Sequence, residues 1–337
     1  MRPRAQRCLD YPHPEEPRSG VSKDEATTAP FETQASPAPQ GEGRNRTTAL
    51  FDNLSEKLGG ILDRLTGRGA LSEKDVDAAM REVRRALLSA MVQLCEQNDF
   101  SSVHLTFLGE ADKSELDAAG FLARQDRQFH FINRGYDTFD DVLAAMASRK
   151  RKNVRKERAK AIEGLTIRHI TGDDLTDQDW SAFYGFYLDT SRRKWGRPYL
   201  NKEFFSLIHE RFAAQTLLIM AYHDGVPIAG ALNFMGGDCL YGRHWGSVIH
   251  KPFLHFELCY YQAIDAALSR GLSRVEAGAQ GEHKLARGYE PVTTHSAHYI
   301  THPGLREAIA NYLDQERPAV DHEVEALGRY TPFKKGD

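Results

Sequence analysis

The chain has 337 residues, 27% of them charged, and a formal net charge of −3 at pH 7. That length accommodates two domains or one domain with an appendage, and the small negative balance excludes reading nucleic-acid binding from overall charge, leaving only a local basic patch to support it. The four cysteines, Cys8, Cys95, Cys239 and Cys259, form neither a CxxC pair nor a close-spaced framework, so a reducing, cytoplasmic setting is expected.

Residues 1–46 are rich in Pro, Glu, Gln, Ser and Thr and poor in large apolar groups. Such a segment buries too little surface to offset its ordering entropy, and disorder is expected. It also lacks the apolar stretch of a secretory signal. No later apolar run approaches the ~20 residues that span a bilayer. Residues 47–95 read as a helical hairpin. Phe51, Leu54, Leu58, Ile61 and Leu65 recur at helical spacing. "TGRGALS" breaks that pattern, and Ser72 with Asp75 forms a weak capping box for a second helix. Val76, Met80, Val83, Leu87, Met91 and Leu94 give this helix one apolar stripe, which must dock on something.

From about residue 100 the pattern turns to mixed α/β. "SSVHLTFL" is a strand, "KSELDAAG" a short helix closed by Gly120, and "FLARQDRQFHFIN" a long strand. Asp137 is expected to cap one helix running through "TFDDVLAAMASRKRKNVRKERAKAIEG". A strand, "LTIRHI", precedes two helices, "DQDWSAFYGFYLDTSRRK" and "KEFFSLIHERFAA". Three strands follow, "QTLLIMAYH", "VPIAGALNFMGG" and "CLYGRHWGSV"; "HDGV" between the first two is a hairpin turn. The helix "PFLHFELCYYQAIDAALSRG" leads to the strand "SRVEAG" and a charged loop. "TTHSAHYIT" is the last strand, and a helix from about Pro303 to Leu327 ends the pattern.

One segment is repeated. "GFLARQDRQFHFIN" from Gly120 and "GYEPVTTHSAHYIT" from Gly288 share a glycine, an aromatic and a His-aromatic-Ile triplet at the same offsets. The match reads as two tandem copies of one fold, the first truncated.

The element order from residue 165 resembles the GNAT acyltransferase fold, a mixed sheet split at a central strand. From about Gln93 to Phe333 the chain resembles the FemAB-like branch of that fold, on "SRKRKNVRKER", "SRKWGRPYL", "IAGALNF", "LYGRHWG", "FLHFELCYYQAI" and "VEAGAQGEHKLARGY". The resemblance implies tandem GNAT-like units: a remnant of the first with a basic linker helix at 96–162, and the second at 163–333. Residues 49–88 resemble the helical start of the signal-recognition-particle GTPase, without its GxxxxGK phosphate loop. This hairpin stands where the family has the first strands of its N-terminal domain.

The resemblance implies an N-acyltransferase in which a neutral amine attacks an activated carbonyl directly. A base accepts the amine's proton and backbone amides stabilise the oxyanion. The implied donor is acyl-CoA or aminoacyl-tRNA, and the acceptor a small-molecule or peptidoglycan-precursor amine. The usual GNAT coenzyme-A loop is absent from "GSVIHKPFLHFEL". In "VEAGAQGEHKLARGYEPV", Glu276 ends a strand, where α/β ligand sites concentrate. Glu276, Glu282 and His283 are the candidates for proton transfer, and Lys284 and Arg287 for holding an anion. A solvated turn with internally paired charges is the other reading.

Strand alternation puts Arg243 and Trp245 on one face of "LYGRHWG" and His244 on the other. Arg243 and Trp245 then contact substrate, or form a surface arginine beside a core tryptophan. Glu257, inside an apolar helix start, is expected to pair with Arg243 or cap its helix. Trp195 and Arg197 offer a further substrate contact or a packed turn. Arg151, Lys152 and Arg155, within a run of seven cations, bind phosphate or form a solvated face. His295 and His298 point to opposite strand faces and cannot share an ion, so no metal is expected. The alternative function is a non-catalytic protein that binds a peptidoglycan precursor or RNA, or an inactive fusion product.

Overall fold

A computed structural model describes residues 42–67, 72–109, 113–194 and 197–334. Of the tail expected to be disordered, residues 1–41 lie outside this set, and 42–46 belong to the first helix. The hairpin consists of α1 (Glu42–Thr66) and α2 (Glu73–Gln97). Ser72 Oγ accepts from Asp75 N at 3.3 Å, and the Asp75 carboxylate accepts from Ser72 N at 3.2 Å, completing the capping box. The buried positions of α2 are Ala79, Leu88 and Cys95. They lie beside the predicted stripe rather than on it, and Met80 and Leu87 are exposed. The reason is the docking site. Leu88 and Val92 pack with Leu116 of α3 (Lys113–Ala118), Phe121 and Ala297 at one end of the sheet.

One eight-stranded sheet runs through the molecule in the order β1-β8-β2-β7-β6-β5-β4-β3. Its strands are β1 (Ser102–Thr106), β2 (Leu122–Ile132), β3 (Thr166–Thr171), β4 (Thr216–His223), β5 (Val226–Gly236), β6 (Cys239–Ser247), β7 (Arg274–Glu276) and β8 (Glu290–Ile300). The repeated segments are β2 and β8, and they pair antiparallel with each other. The two copies therefore share one sheet. Gly120 and Gly288, which open the two copies, adopt φ of +82° and +94°. These left-handed conformations favour glycine.

β3 to β6 form an antiparallel meander. The β4–β5 turn holds Asp224 and Gly225 at φ of 49° and 79°, as a primed hairpin turn requires. Both faces of β4 are covered, so Leu217 to Ala221 are apolar without a break. Leu217, Ile219 and Ala221 enter one core, which includes α4 (Phe139–Ala145), α5 (Ser148–Ile162) and α9 (Gln262–Ser269). Leu218 and Met220 enter the other, beneath α6 (Asp177–Lys194) and α7 (Lys202–Phe212). α10 (Pro303–Gly328) lies on β2 and β8, where Arg124 grips Glu316 with two bonds of 2.9 and 2.8 Å.

The helix predicted from Asp137 is two helices. Thr138, not Asp137, caps α4 through a box with Asp141. Met146 then turns extended and bridges to Phe333, so a distant segment breaks the helix before α5. Among the described residues, no helix is long and apolar enough to cross a membrane.

Candidate active site

The sheet opens between its parallel strands. β6 and β7 pair only over Cys239–Tyr241 and Arg274–Glu276. β6 continues to Ser247 with β5 on one side, while the chain leaves β7 into the charged loop. Beyond Tyr241 the β7-facing edge of β6 thus has no strand partner. Helix α8 (Leu254–Phe256) follows β6 and passes through a π turn, Glu257–Tyr261, into α9. Together they cross over to β7. A cavity of about 710 Å³ occupies the opening, lined among others by Asn233, Arg243, Trp245, Tyr260, His283 and Lys284.

The β6 wall departs from simple alternation. The β5–β6 register shifts between Leu232 and Asn233, leaving Arg243 unpaired in a bulge. A bulge re-aims the side chains around it. Arg243, His244 and Trp245 therefore all line the cavity, contrary to the expected two-face division. Arg243 is exposed and has no ion pair among the described residues. Trp245 meets the His255 ring edge-on at 5.1 Å. His244 packs against Tyr187 and takes a 3.2 Å hydrogen bond with the Tyr199 hydroxyl. Burial, then the Arg243 charge, pushes its pKa down to about 4.

The opposite wall is the loop after β7. Gly281 has φ +96°, and a Cβ there would lie 2.3 Å from the His283 ring, so the turn requires glycine. The His283 ring packs against Phe256 and Tyr260, and its Nε2 is 3.0 Å from the Tyr260 hydroxyl. The residue is exposed overall, but the ring's loss of water, with Arg287 and Lys284 nearby, lowers its pKa to about 4. Burial likewise raises the Tyr260 hydroxyl far above its ordinary value, so it stays protonated.

Lys284 is only 3% exposed. It donates to the carbonyls of Ala277 and Gly278 at 2.5 and 3.1 Å, closing the loop on itself. Burial lowers its pKa to about 8. Arg287 is tied more tightly. Its guanidinium donates to both oxygens of Glu157 at 3.0 and 2.9 Å and to His283 O at 2.6 Å. It also lies 3.5 Å over the Phe256 ring. Arg287 does not line the cavity, and its reach toward a ligand is given up to α5.

The other predicted residues separate. Glu276 bonds Arg274 at 3.1 Å, lies 3.9 Å from His130 Nε2 and does not line the cavity. Glu282 is exposed and also off the cavity wall. Arg197 is exposed and Trp195 lies outside the described residues. On α5, Arg151 is half-buried, Lys152 is exposed, and Arg155 reaches Asp140 at 3.5 Å in solvent. Glu257 pairs with Arg158 and Gln262 rather than Arg243; Arg158 also bonds Asp265 at 2.5 Å. The buried carboxylate is therefore satisfied from the basic helix. His298 meets His104 across the β1–β8 pair, Nδ1 to Nδ1 at 2.7 Å. Among the described residues, no group of three or more His, Cys, Asp or Glu is placed to hold a metal ion.

Several cavity residues were not singled out from sequence: Thr190, Asn233, His255 and Tyr260. The signal for two of them was present, since "PFLHFELCYY" places His255 and Tyr260 beside Glu257 in an otherwise apolar helix start. A second cavity, about 490 Å³, lies under the loop after β6. Arg193, His250 and Lys251 line it, and Thr190, Trp245 and His255 line both cavities.

A mixed sheet opened between two parallel strands, with a cavity in the opening, defines a GNAT-type fold. FemX has this fold at a TM-score of 0.50 and 13% identity, over 68% of this chain and 79% of that one. L-PGS from Bacillus licheniformis aligns over 68% and 78% at a TM-score of 0.49 and 9% identity. The chain belongs to the FemAB-like family of peptidoglycan biosynthesis/recognition, whose sequence pattern matches residues 65–335. A short stretch is 45% identical over 51 residues to the signal recognition particle protein of Thermus aquaticus, 15% of this chain and 12% of that protein. The chain thus spans far less than two thirds of the curated relatives it matches.

Proposed function

We propose that the chain transfers an acyl or aminoacyl group to an amine by direct attack in the β6–β7 opening. The observation that carries the proposal is that opening, with its cavity, its unpaired β6 edge and His283 on its wall. The amine nitrogen bonds to the donor's carbonyl carbon, and the bond from that carbon to the leaving sulfur or oxygen breaks. Backbone amides on the open edge of β6 stabilise the oxyanion. His283 is neutral throughout the physiological range; it takes the nitrogen's proton once C–N bond formation has acidified it and passes that proton to the departing sulfur or oxygen. In the tautomer that donates Nε2–H to the Tyr260 oxygen, Nδ1 carries the free lone pair. Lys284 and Arg287 hold the loop that presents it. Glu276 and Glu282 have no part in this arrangement.

The donor is acyl-CoA or aminoacyl-tRNA, with its distal part in the cavity under the β6 loop. The acceptor is an amine of a peptidoglycan precursor, in keeping with the family. The test offers purified protein acetyl-CoA or alanyl-tRNA with a muropeptide amine and reads products by mass spectrometry. Acylated amine is expected from one donor, about 100-fold more slowly with His283→Ala. No turnover with either donor would overturn the proposal.

A further inference from the structure

Helix α6 packs on β6 at very close range. A Cβ on Gly246 of β6 would stand 2.2 Å from Phe186 O, so glycine lets the helix backbone rest on the strand. Arg193 fastens the end of α6 to β6 by donating to Ser247 O at 3.2 Å, and it pairs with Asp189 of its own helix at 2.6 Å. Between these two anchors sits Thr190, which lines both cavities.

Its hydroxyl oxygen is buried and has no hydrogen-bond partner among the described residues. That is unusual for a helix hydroxyl, which normally bonds the carbonyl one turn back. Thr66 does so with Leu62 O at 3.1 Å, and Ser206 with Lys202 O at 3.4 Å. A buried polar group left unmatched destabilises the free protein. The neighbouring Asp189 and Arg193 satisfy each other, so the vacancy belongs to Thr190 alone among these three.

We propose that Thr190 is a ligand-contacting residue: rotation about its Cα–Cβ bond turns the hydroxyl, buried in the free protein, onto the cavity wall, where it bonds the carbonyl-bearing linkage of a donor that spans both cavities. The inference rests on the proposed transfer reaction and adds a positioning contact at the point where the donor passes from one cavity to the other. A ligand oxygen there supplies the acceptor that the fold withholds. The isosteric Thr190→Val removes the hydroxyl while keeping the volume.

The experiment measures binding by calorimetry for wild type, T190V and T190S. The probes are acetyl-CoA and a short CCA-ended RNA carrying amide-linked alanine at its 3′ end. Thermal melting of the free proteins runs in parallel. T190V is expected to bind the recognised probe about tenfold more weakly, with a melting temperature equal to or above wild type, and T190S is expected to restore binding. Equal affinity in T190V would overturn the proposal, as would a melting temperature several degrees lower, which marks a structural role. Binding of neither probe to wild type would overturn the donor assignment together with this contact. Wild-type binding with an indifferent T190V overturns the contact alone.

Discussion

The two walls of the β6–β7 opening carry the same kinds of side chain with opposite fates. On the β6 wall, Arg243 stands exposed at a bulge with no ion pair among the described residues. On the loop wall, Arg287 is buried against Glu157 and Phe256, and Lys284 is closed on two carbonyls. A sequence reader assigns all three to anion binding. The difference shows that a cation's role follows from what its backbone places beside it. The loop wall uses its charges to hold shape, and the β6 wall leaves its charge available.

The comparison predicts a graded series. The largest stability effect belongs to Arg287→Ala, which strands Glu157 and the loop. Breaking a buried pair from one side costs about 3 kcal/mol, measured by urea unfolding. A variant as stable as wild type would dissolve the contrast between the walls. Next comes acid sensitivity, which the walls share. His244 and His283 both have folded-state values of about 4, below the ordinary value of about 6.5. The unfolded chain therefore takes up these protons first. Their contribution is present above pH ~6.5 and is lost as pH falls toward about 4. Unfolding curves across that window are expected to lose part of their slope in His244→Phe and in His283→Phe. The smallest stability effect is that of Arg243→Ala, within about 0.5 kcal/mol. Its consequence is expected in substrate KM instead, and a loss as large as that of Arg287→Ala would make the two walls alike.

Local pattern carried most of the fold. The Ser72 box, the Asp224-Gly225 turn and the helix from Pro303 all rest on contacts a few residues apart, and each stands where the sequence places it. What failed depends on partners far along the chain. Phe333 interrupts the helix at Met146, and Arg158 claims Glu257 from 99 residues away. The bulge at Arg243 arises from its register with β5, which alternation along one strand cannot reveal. The site was legible as a region rather than as residues. The charged loop and "LYGRHWG" both border the cavity, but packing put His283 on the cavity wall and Glu276 off it, and left Arg243 exposed while locking Arg287. Thr190 looked like any polar residue on an amphipathic helix, because its missing partner is a property of packing.

The central claim is that one opening in the sheet takes the donor. Amide hydrogen exchange with and without saturating acetyl-CoA or alanyl-tRNA tests it most directly. The account predicts protection at residues 243–256 and 277–284, the two walls together, with α1 and α2 unchanged. Protection confined to the hairpin or to the exposed face of α5, with both walls unaltered under either donor, would contradict it.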